Sequence, residues 1–281
     1  MTKQCKYFNS ILYPFQLTDP VNKLMIEYYN FRFGEVSDDE EAKKQIYRLR
    51  YEVYALEFGF ENPYDFPDKL EIDQYDKRSI HFAATNEFDE VIGTVRMIMN
   101  SEAGFPAEKA AELTGFDDRP ERSCITEVSR LAVSKLLRRR PEDGIHGVES
   151  YITKSQGGIL EDDEEKRKEV EKENRRKRPV IILGLYRAVY QKCRELGITH
   201  MLIITEEKLF HALNKFGFVF KQVGDPVEYH GRRIPSAASW ESIERYMLKN
   251  KPEILEFLLY KLDDNLVPDH LKSFKEKIGK N

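Results

Sequence analysis

"VIGTVRMIM", residues 91–99, is the stretch on which the fold turns. Its apolar side chains fall on both alternating faces, the pattern of a strand covered on two sides, so it belongs inside a sheet. Arg96 breaks the pattern in the middle of the run. "IHFAAT", residues 80–85, lies just upstream across "NEFDE", residues 86–90, and together they predict a hairpin. "CITEVSRLAV", residues 124–133, repeats the theme, a strand apolar on both faces with Glu127 and Arg130 embedded in it.

An ion taken out of water without a partner costs several kcal/mol. These charges therefore form a salt-bridge network that fixes strand register, or they face a polar pocket. "LEIDQYDKRSIHF", residues 70–82, bears on the choice, because Glu71, Asp73 and Asp76 crowd in front of the hairpin and His81 follows. A solvated turn, a metal site and a pocket wall are all open to it. The metal reading is weak: the spacing lacks the glycine and final glutamate of a calcium loop, and no HExxH or cysteine pair accompanies it. His81 reads as a strand residue satisfied by hydrogen bonding. Ser129 has no GxSxG elbow and Cys124 no nucleophile signature, which argues against a serine or cysteine hydrolase.

Upstream, "DDEEAKKQIYRLRYEVYALEF", residues 38–58, predicts a helix with Ser37 or Asp38 as its cap and acidic residues at the positive end of its dipole. Ile46, Leu49, Val53 and Leu56 make its apolar stripe; Arg50 edges that stripe, with Tyr54 one turn on. Downstream, "EDDEEKRKEVEKENRRKR", residues 161–178, has eight acidic and eight basic side chains and predicts a solvated or disordered insertion covering about 155–178. "RPVIILGLYRAVYQKCRELGI", residues 178–198, predicts an apolar helix with Pro179 in its first turn. "THMLIIT" reads as a buried strand, and "EEKLFHALNKFGFVFKQVG" as helix, glycine turn and strand. The order gives an α/β fold, a mixed sheet with helices on both faces. It spans residues 1–235, and residues 236–281 add two further helical patterns packed on the same domain.

Composition narrows the classes. The chain has 281 residues, enough for one large domain, and 12% aromatic residues, enough to line an apolar pocket. A net charge of −4 offers no electrostatic footprint for nucleic acid. No run of about 20 apolar residues predicts a membrane span, and the N-terminus lacks the apolar region of a secretory signal. Cys5, Cys124 and Cys193 are widely spaced, which fits free thiols in a reducing cytoplasm and neither a disulfide framework nor a zinc site.

Four segments in order, "LRYEVY", "EIDQYD", "GTVRM" and "TEVSRLAV", resemble the acyl-homoserine-lactone synthases and their relatives, the long-chain N-acyl amino acid synthases, within the GNAT-like acyltransferases. The resemblance covers residues 42–134 well and extends to about residue 222. It assigns Arg50 and Tyr54 to the first helix, Glu71, Asp73 and Asp76 to a loop, Gly93 and Arg96 to a central strand, and Glu127, Ser129 and Arg130 to the next. Tyr54 stands where the family has phenylalanine, and Phe60 is the nearest match to a family tryptophan. These departures, with the charged insertion and the C-terminal helices, favour the N-acyl amino acid synthases or the acyltransferases encoded with exosortase systems.

What the resemblance implies is transfer of a fatty acyl group from a pantetheine thioester, on an acyl carrier protein or coenzyme A, to the amine of a small acceptor. Glu127, Asp73 and Arg130 would be catalytic, with Glu127 as base. Arg50, Tyr54, Phe60, Glu71, Asp76, Arg96 and Ser129 would line the acceptor site. Backbone N–H groups near Leu131 and Val133 would hold the pantetheine arm, and Val95, Met97 and Met99 would contact the acyl chain. No metal or permanently bound cofactor is needed, and the acylated product could associate with a membrane surface. Lactone synthesis from S-adenosylmethionine and a non-catalytic acyl-binding sensor are the rival functions. "SKLLRRRPEDG" follows the strand where coenzyme-A-using GNAT enzymes have a glycine-rich pyrophosphate loop. Lys135, Arg138, Arg139 and Arg140, with Arg175, Arg176, Lys177 and Arg178, either form a solvated basic loop balancing its own acidic run or collect near the mouth of the pantetheine channel as a basic patch that docks an acidic acyl carrier protein.

Overall fold

The hairpin forms as its pattern requires. In the computed structural model, strand β2 (Ser79–Thr85) pairs antiparallel with β3 (Val91–Ile98), and the side chain of Asn86 accepts the N–H groups of Phe88 and Glu90 to close the turn. The structure describes residues 31–36, 39–116, 120–135, 164–229 and 231–279, with the backbone alone for 164–178. β1 (Arg32–Val36) joins the outer edge of β2, and β4 (Ile125–Val133) pairs antiparallel with β3. β4 then runs parallel to β5 (His200–Thr205). β8 (Arg232–Ser239) pairs antiparallel with β5 and receives the short strands β6 (Lys221–Gln222) and β7 (Val227–Glu228). The sheet order is β1-β2-β3-β4-β5-β8-β6, mixed as expected.

Side-chain alternation assigns the two faces. Phe82, Ala84, Val95, Met97, Val128, Met201 and Ile203 point to one side, where the long helix α3 (Glu164–Leu196) covers them. Gly93 lies on this face because the helix comes close: a Cβ there would sit 2.7 Å from Cγ2 of Ile181. The other side is covered by α1 (Glu40–Arg50), the loop after it and the short helix α2 (Pro106–Ala110). α4 (Glu207–Lys215) follows β5. The chain ends in α5 (Trp240–Asn250), α6 (Pro252–Leu259) and α7 (Asp269–Ile278). Trp240, Ile243, Leu255, Leu258 and Leu271 of these last helices share the α3-side core.

Several local expectations are corrected. Asp39, not Ser37 or Asp38, caps α1, its carboxylate accepting the N–H groups of Glu41 and Ala42; Ser37 and Asp38 lie outside the described residues. α1 does not continue as a regular helix through Tyr54, because Tyr51–Glu57 winds into a wider π-helical turn. The charged segment expected to be solvated or disordered is helical from Glu164, while residues 155–163 and the side chains of 164–178 lie outside the described residues; Pro179 stands inside α3, not in its first turn. One helix thereby joins the charged run to the apolar one. The C-terminal region carries three helices instead of two, preceded by β8.

Candidate active site

Arg96 and Glu127 share the sheet face opposite α3. Arg96 is opposite Ser129 in the β3–β4 ladder and Glu127 is opposite Ile98, so all four side chains point the same way. Arg130 should not join them, since residues three apart on a strand face opposite sides. A bulge resolves this. Thr94 pairs with Ala132 and Arg96 with Ser129, so Arg130 and Leu131 together oppose Val95. Arg130 takes a left-handed backbone at φ 51°, and its side chain reaches the same face as Glu127.

The acidic loop meets these arginines. Arg50 is fully buried, donating from Nε to Glu71 and forking onto Asp76 at 2.7 and 3.1 Å. Arg96 donates to Asp73 (2.6 Å), to Asp76 (2.8 Å) and through Nε to the Ser129 hydroxyl (3.1 Å). Arg130 donates to Glu71 at 3.0 and 3.1 Å and to Glu61 at 3.1 Å, with Asp73 3.3 Å away. Burial alone would raise the carboxyl groups of Glu71, Asp73 and Asp76. The guanidiniums of Arg50, Arg96 and Arg130 outweigh it and hold all three below the ordinary range. The carboxylates of residues 71–76 thus form an ion-paired cluster, with Glu71 and Asp76 buried and Asp73 partly so.

Glu127 is different. It is fully buried; Oε2 accepts the N–H of Ala107 at 2.8 Å, while Oε1 has no hydrogen-bond partner among the described residues. Burial pushes its carboxyl up to about 7, against the pull of the Ala107 N–H and the charges of Arg96 and Arg130. It is a carboxyl whose proton comes and goes near neutral pH, with one oxygen left to meet another group. The strands also part at this point. β4 and β5 pair only through Ile125–His200, Thr126–Met201 and Glu127–Leu202. Beyond Glu127, β4 follows β3 to Val133 while β5 follows β8 to Thr205.

The remaining candidates distribute around this opening. The Tyr54 hydroxyl donates to the Leu131 carbonyl at the bulge (3.0 Å), and its ring lies 5.3 Å from the Arg130 guanidinium. Phe60 stacks on Phe58 at 5.1 Å and lies under Arg233 at 4.6 Å. Val133 is back in register, opposite Gly93. Val95 and Met97 are packed in the core beneath α3, on the face opposite Arg96, with Met99 partly buried against the same core. Lys135 is exposed; Arg138, Arg139 and Arg140 lie outside the described residues, as do the side chains of Arg175, Arg176, Lys177 and Arg178.

His81 corrects its expectation. It is buried, edge-on to Tyr47, and neither ring nitrogen makes a hydrogen bond of ordinary geometry among the described residues. The nearest carboxylate, Asp76 at 3.7 Å, is already taken by Arg50 and Arg96. Burial, reinforced by those two guanidiniums, holds its imidazole down near about 4, so it is neutral at pH 7. Four participants escaped sequence reasoning. Glu61, the N–H of Ala107, Tyr229 at the β7–β8 turn and Arg233 come from segments without a charge in an apolar run to mark them. Tyr229 lies in the electrostatic field of Arg130, Glu127, Tyr75 and Glu61; its phenol is raised chiefly by burial.

The model of the acetyltransferase (GNAT) domain family matches residues 49–143. No curated protein matches the chain by sequence. Among solved structures, the fold superimposes on TofI in a ternary complex with an inhibitor and MTA, with a TM-score of 0.55 and 16% identity over 85% of this chain and 100% of that one. It also superimposes on BjaI, a CoA-dependent acyl-homoserine lactone synthase solved with SAM and isopentyl-CoA. There the TM-score is 0.52 and the identity 18%, covering 82% of this chain and 88% of that one. FeeM, an N-acyl amino acid synthase from uncultured soil microbes, gives 0.45 and 17% over 77% and 93%. Residues 49–143 are thus similar to the GNAT domain family, and the chain shares a mixed α/β fold with TofI and BjaI.

Proposed function

We propose, taking the GNAT fold as premise, that the protein is an N-acyltransferase. It moves a fatty acyl group from a pantetheine thioester to the amine of an amino acid or a similar small acceptor. Glu127 carries the reading, a fully buried carboxyl with a free oxygen, a proton affinity near neutrality and a place where two strands diverge. A general base works best when its pKa lies close to the working pH. The acceptor arrives as an ammonium, passes a proton to Glu127, and its nitrogen attacks the thioester carbonyl. The carbon–nitrogen bond forms, the carbon–sulfur bond breaks, the second proton shed by the nitrogen ends on the departing thiolate to give the thiol, and Glu127 returns its proton to solvent.

The other residues take supporting roles in this reading. Arg50, Arg96 and Arg130 anchor Glu71, Asp73 and Asp76, so the acidic wall keeps its charge beside the incoming amine. Tyr54 and Phe60 supply aromatic surface, and Ser129 fixes the Arg96 fork. The N–H groups around Leu131, at the bulge, and Val133, at the end of β4, are the proposed donors to the thioester carbonyl and the pantetheine amides. The acyl donor is an acyl carrier protein docked on Lys135, Arg138, Arg139 and Arg140, the setting is the cytoplasm, and residues 236–281 serve as a helical brace for the same domain.

Purified protein incubated with acyl-carrier-protein or acyl-coenzyme A thioesters, mixed amino acids and S-adenosylmethionine tests the proposal by mass spectrometry. An acyl amino acid supports it. An acyl-homoserine lactone assigns the protein to autoinducer synthesis, and tight acyl binding without turnover makes it a sensor. Acyl-coenzyme A used better than the carrier-protein thioester, with no dependence on salt, would remove the docking role of the basic segment.

A further inference from the structure

The oxygen of Glu127 that is bonded meets a backbone group of α2, and α2 is itself held by a surface ion pair. Glu108 and Arg122 form a two-pronged fork at 2.7 and 2.8 Å, with Arg122 partly exposed. Glu108 Oε2 also accepts the N–H of Phe105 at 2.9 Å, at the start of the helix. Arg122 continues inward, with its guanidinium 5.5 Å from the centre of the Phe105 ring and Nε 3.3 Å from the Asn100 side-chain oxygen. Arg78 donates to the carbonyls of Met99 and Gly104 just ahead of α2. Two residues beyond Phe105 comes the Ala107 N–H that holds Glu127.

We propose that the Glu108–Arg122 fork is a positioning device for Glu127, acting through the start of α2 to aim the Ala107 N–H at Oε2 and so to turn Oε1 toward the reacting amine. The inference rests on Glu127 being the base. Neither Glu108 nor Arg122 touches substrate in this scheme; both are positioning residues. A partly exposed ion pair contributes little to stability. The fork can therefore be removed with the fold retained while the base it steers is disturbed. The charged groups whose fields reach Glu127 are Arg96 on β3, Glu108 on α2 and Arg130 on β4, with the Tyr229 phenol beyond the β7–β8 turn.

Those groups make the proposal separable from simple electrostatics. The negative charge of Glu108 raises the Glu127 carboxyl. If charge alone acted, Glu108→Ala would lower the proton affinity of Glu127. If the fork positions the Ala107 N–H, Glu108→Ala and Arg122→Ala both weaken the bond that favours the carboxylate, and both raise it. The measurement is an infrared pH titration of the intact protein, following the carboxyl band that disappears in Glu127→Gln. In the unmodified protein that band should titrate near about 7. Both fork variants should move it upward by up to about one pH unit, the scale of a charge-assisted hydrogen bond. The double variant should move it no further than either single one. Ala107→Pro, which deletes the N–H at a first-turn position, should move it as far. A downward move in Glu108→Ala, or none in Arg122→Ala, overturns the positioning role. Full turnover by Glu127→Gln with acyl thioester and amino acids would instead overturn the base assignment on which the inference rests.

Discussion

At the scale of single residues, Glu127 concentrates both the proposed chemistry and its cost. If it is the base, Glu127→Gln should lower turnover by about 10²- to 10⁴-fold with the fold intact. The kcat/KM of the unmodified enzyme should rise with pH through about 7 and then level, because the carboxylate is the active form. Stability should move the other way. The folded-state value of about 7 lies above the ordinary 4.5, so between those limits the folded protein binds the extra proton. The contribution is fully present below pH 4.5 and is lost as pH rises through about 7, a total of about 3 kcal/mol. Glu127→Gln cannot titrate. Its unfolding free energy relative to the unmodified protein should therefore improve by about that amount across the same window, measured by denaturant titration at several pH values. A flat difference would mean that Glu127 is not the buried acid described here. The buried charge was legible in the sequence because its neighbours are apolar; the N–H of Ala107 was not, because every residue has one.

At the scale of elements, β4 shows where pattern reading stops. The apolar run "CITEVSRLAV" predicts the strand, and the strand is there. Yet Glu127 and Arg130 differ in parity, and a regular strand would bring only one of them to the acidic loop. The bulge that brings both depends on one residue adopting a positive φ, which an arginine does not advertise. The same limit applies to "EIDQYD": its carboxylates were visible, but their partners came from α1, β3 and β4 and only the fold assembles them. Gly93 is the complementary case, a residue whose reason is a neighbour more than eighty positions away. Gly93→Val would drive side-chain carbon into Ile181 and Leu185 of α3. Overpacking of this kind costs about 1–3 kcal/mol, so the variant should unfold at lower denaturant while Arg96 keeps its carboxylate partners. Unchanged stability would show that α3 does not press on the sheet.

At the scale of the whole molecule, the C-terminal helices are tied to the domain by chemistry as well as by packing. Glu244 on α5 is fully buried, accepts the Tyr190 hydroxyl of α3 at 2.9 Å, and lies 3.1 Å from Nε2 of His270 on α7. Burial raises its carboxyl to about 6. None of this was legible from residues 236–281 alone, because an acid on an amphipathic helix looks solvated until its partners are placed.

The parallel contact between β4 and β5 bears on how such a chain assembles. Glu127 and Leu202 are neighbours in the sheet but roughly 75 positions apart in the chain. Bringing distant segments together costs loop-closure entropy before any contact repays it, whereas β2 and β3 meet across a short turn. The antiparallel strands should therefore form early and wait with β4 as an unpaired edge, the kind of surface on which incomplete chains associate. Pulse-labelled hydrogen exchange during refolding should show amides of β2 and β3 protected before those of β5 and β8. Simultaneous protection would mean that the sheet closes in a single step. The cleft proposed to accept the thioester would then be the last part of the sheet to come into existence, and a nascent chain released before β5 would have everything in the charged network except the boundary that makes it a site.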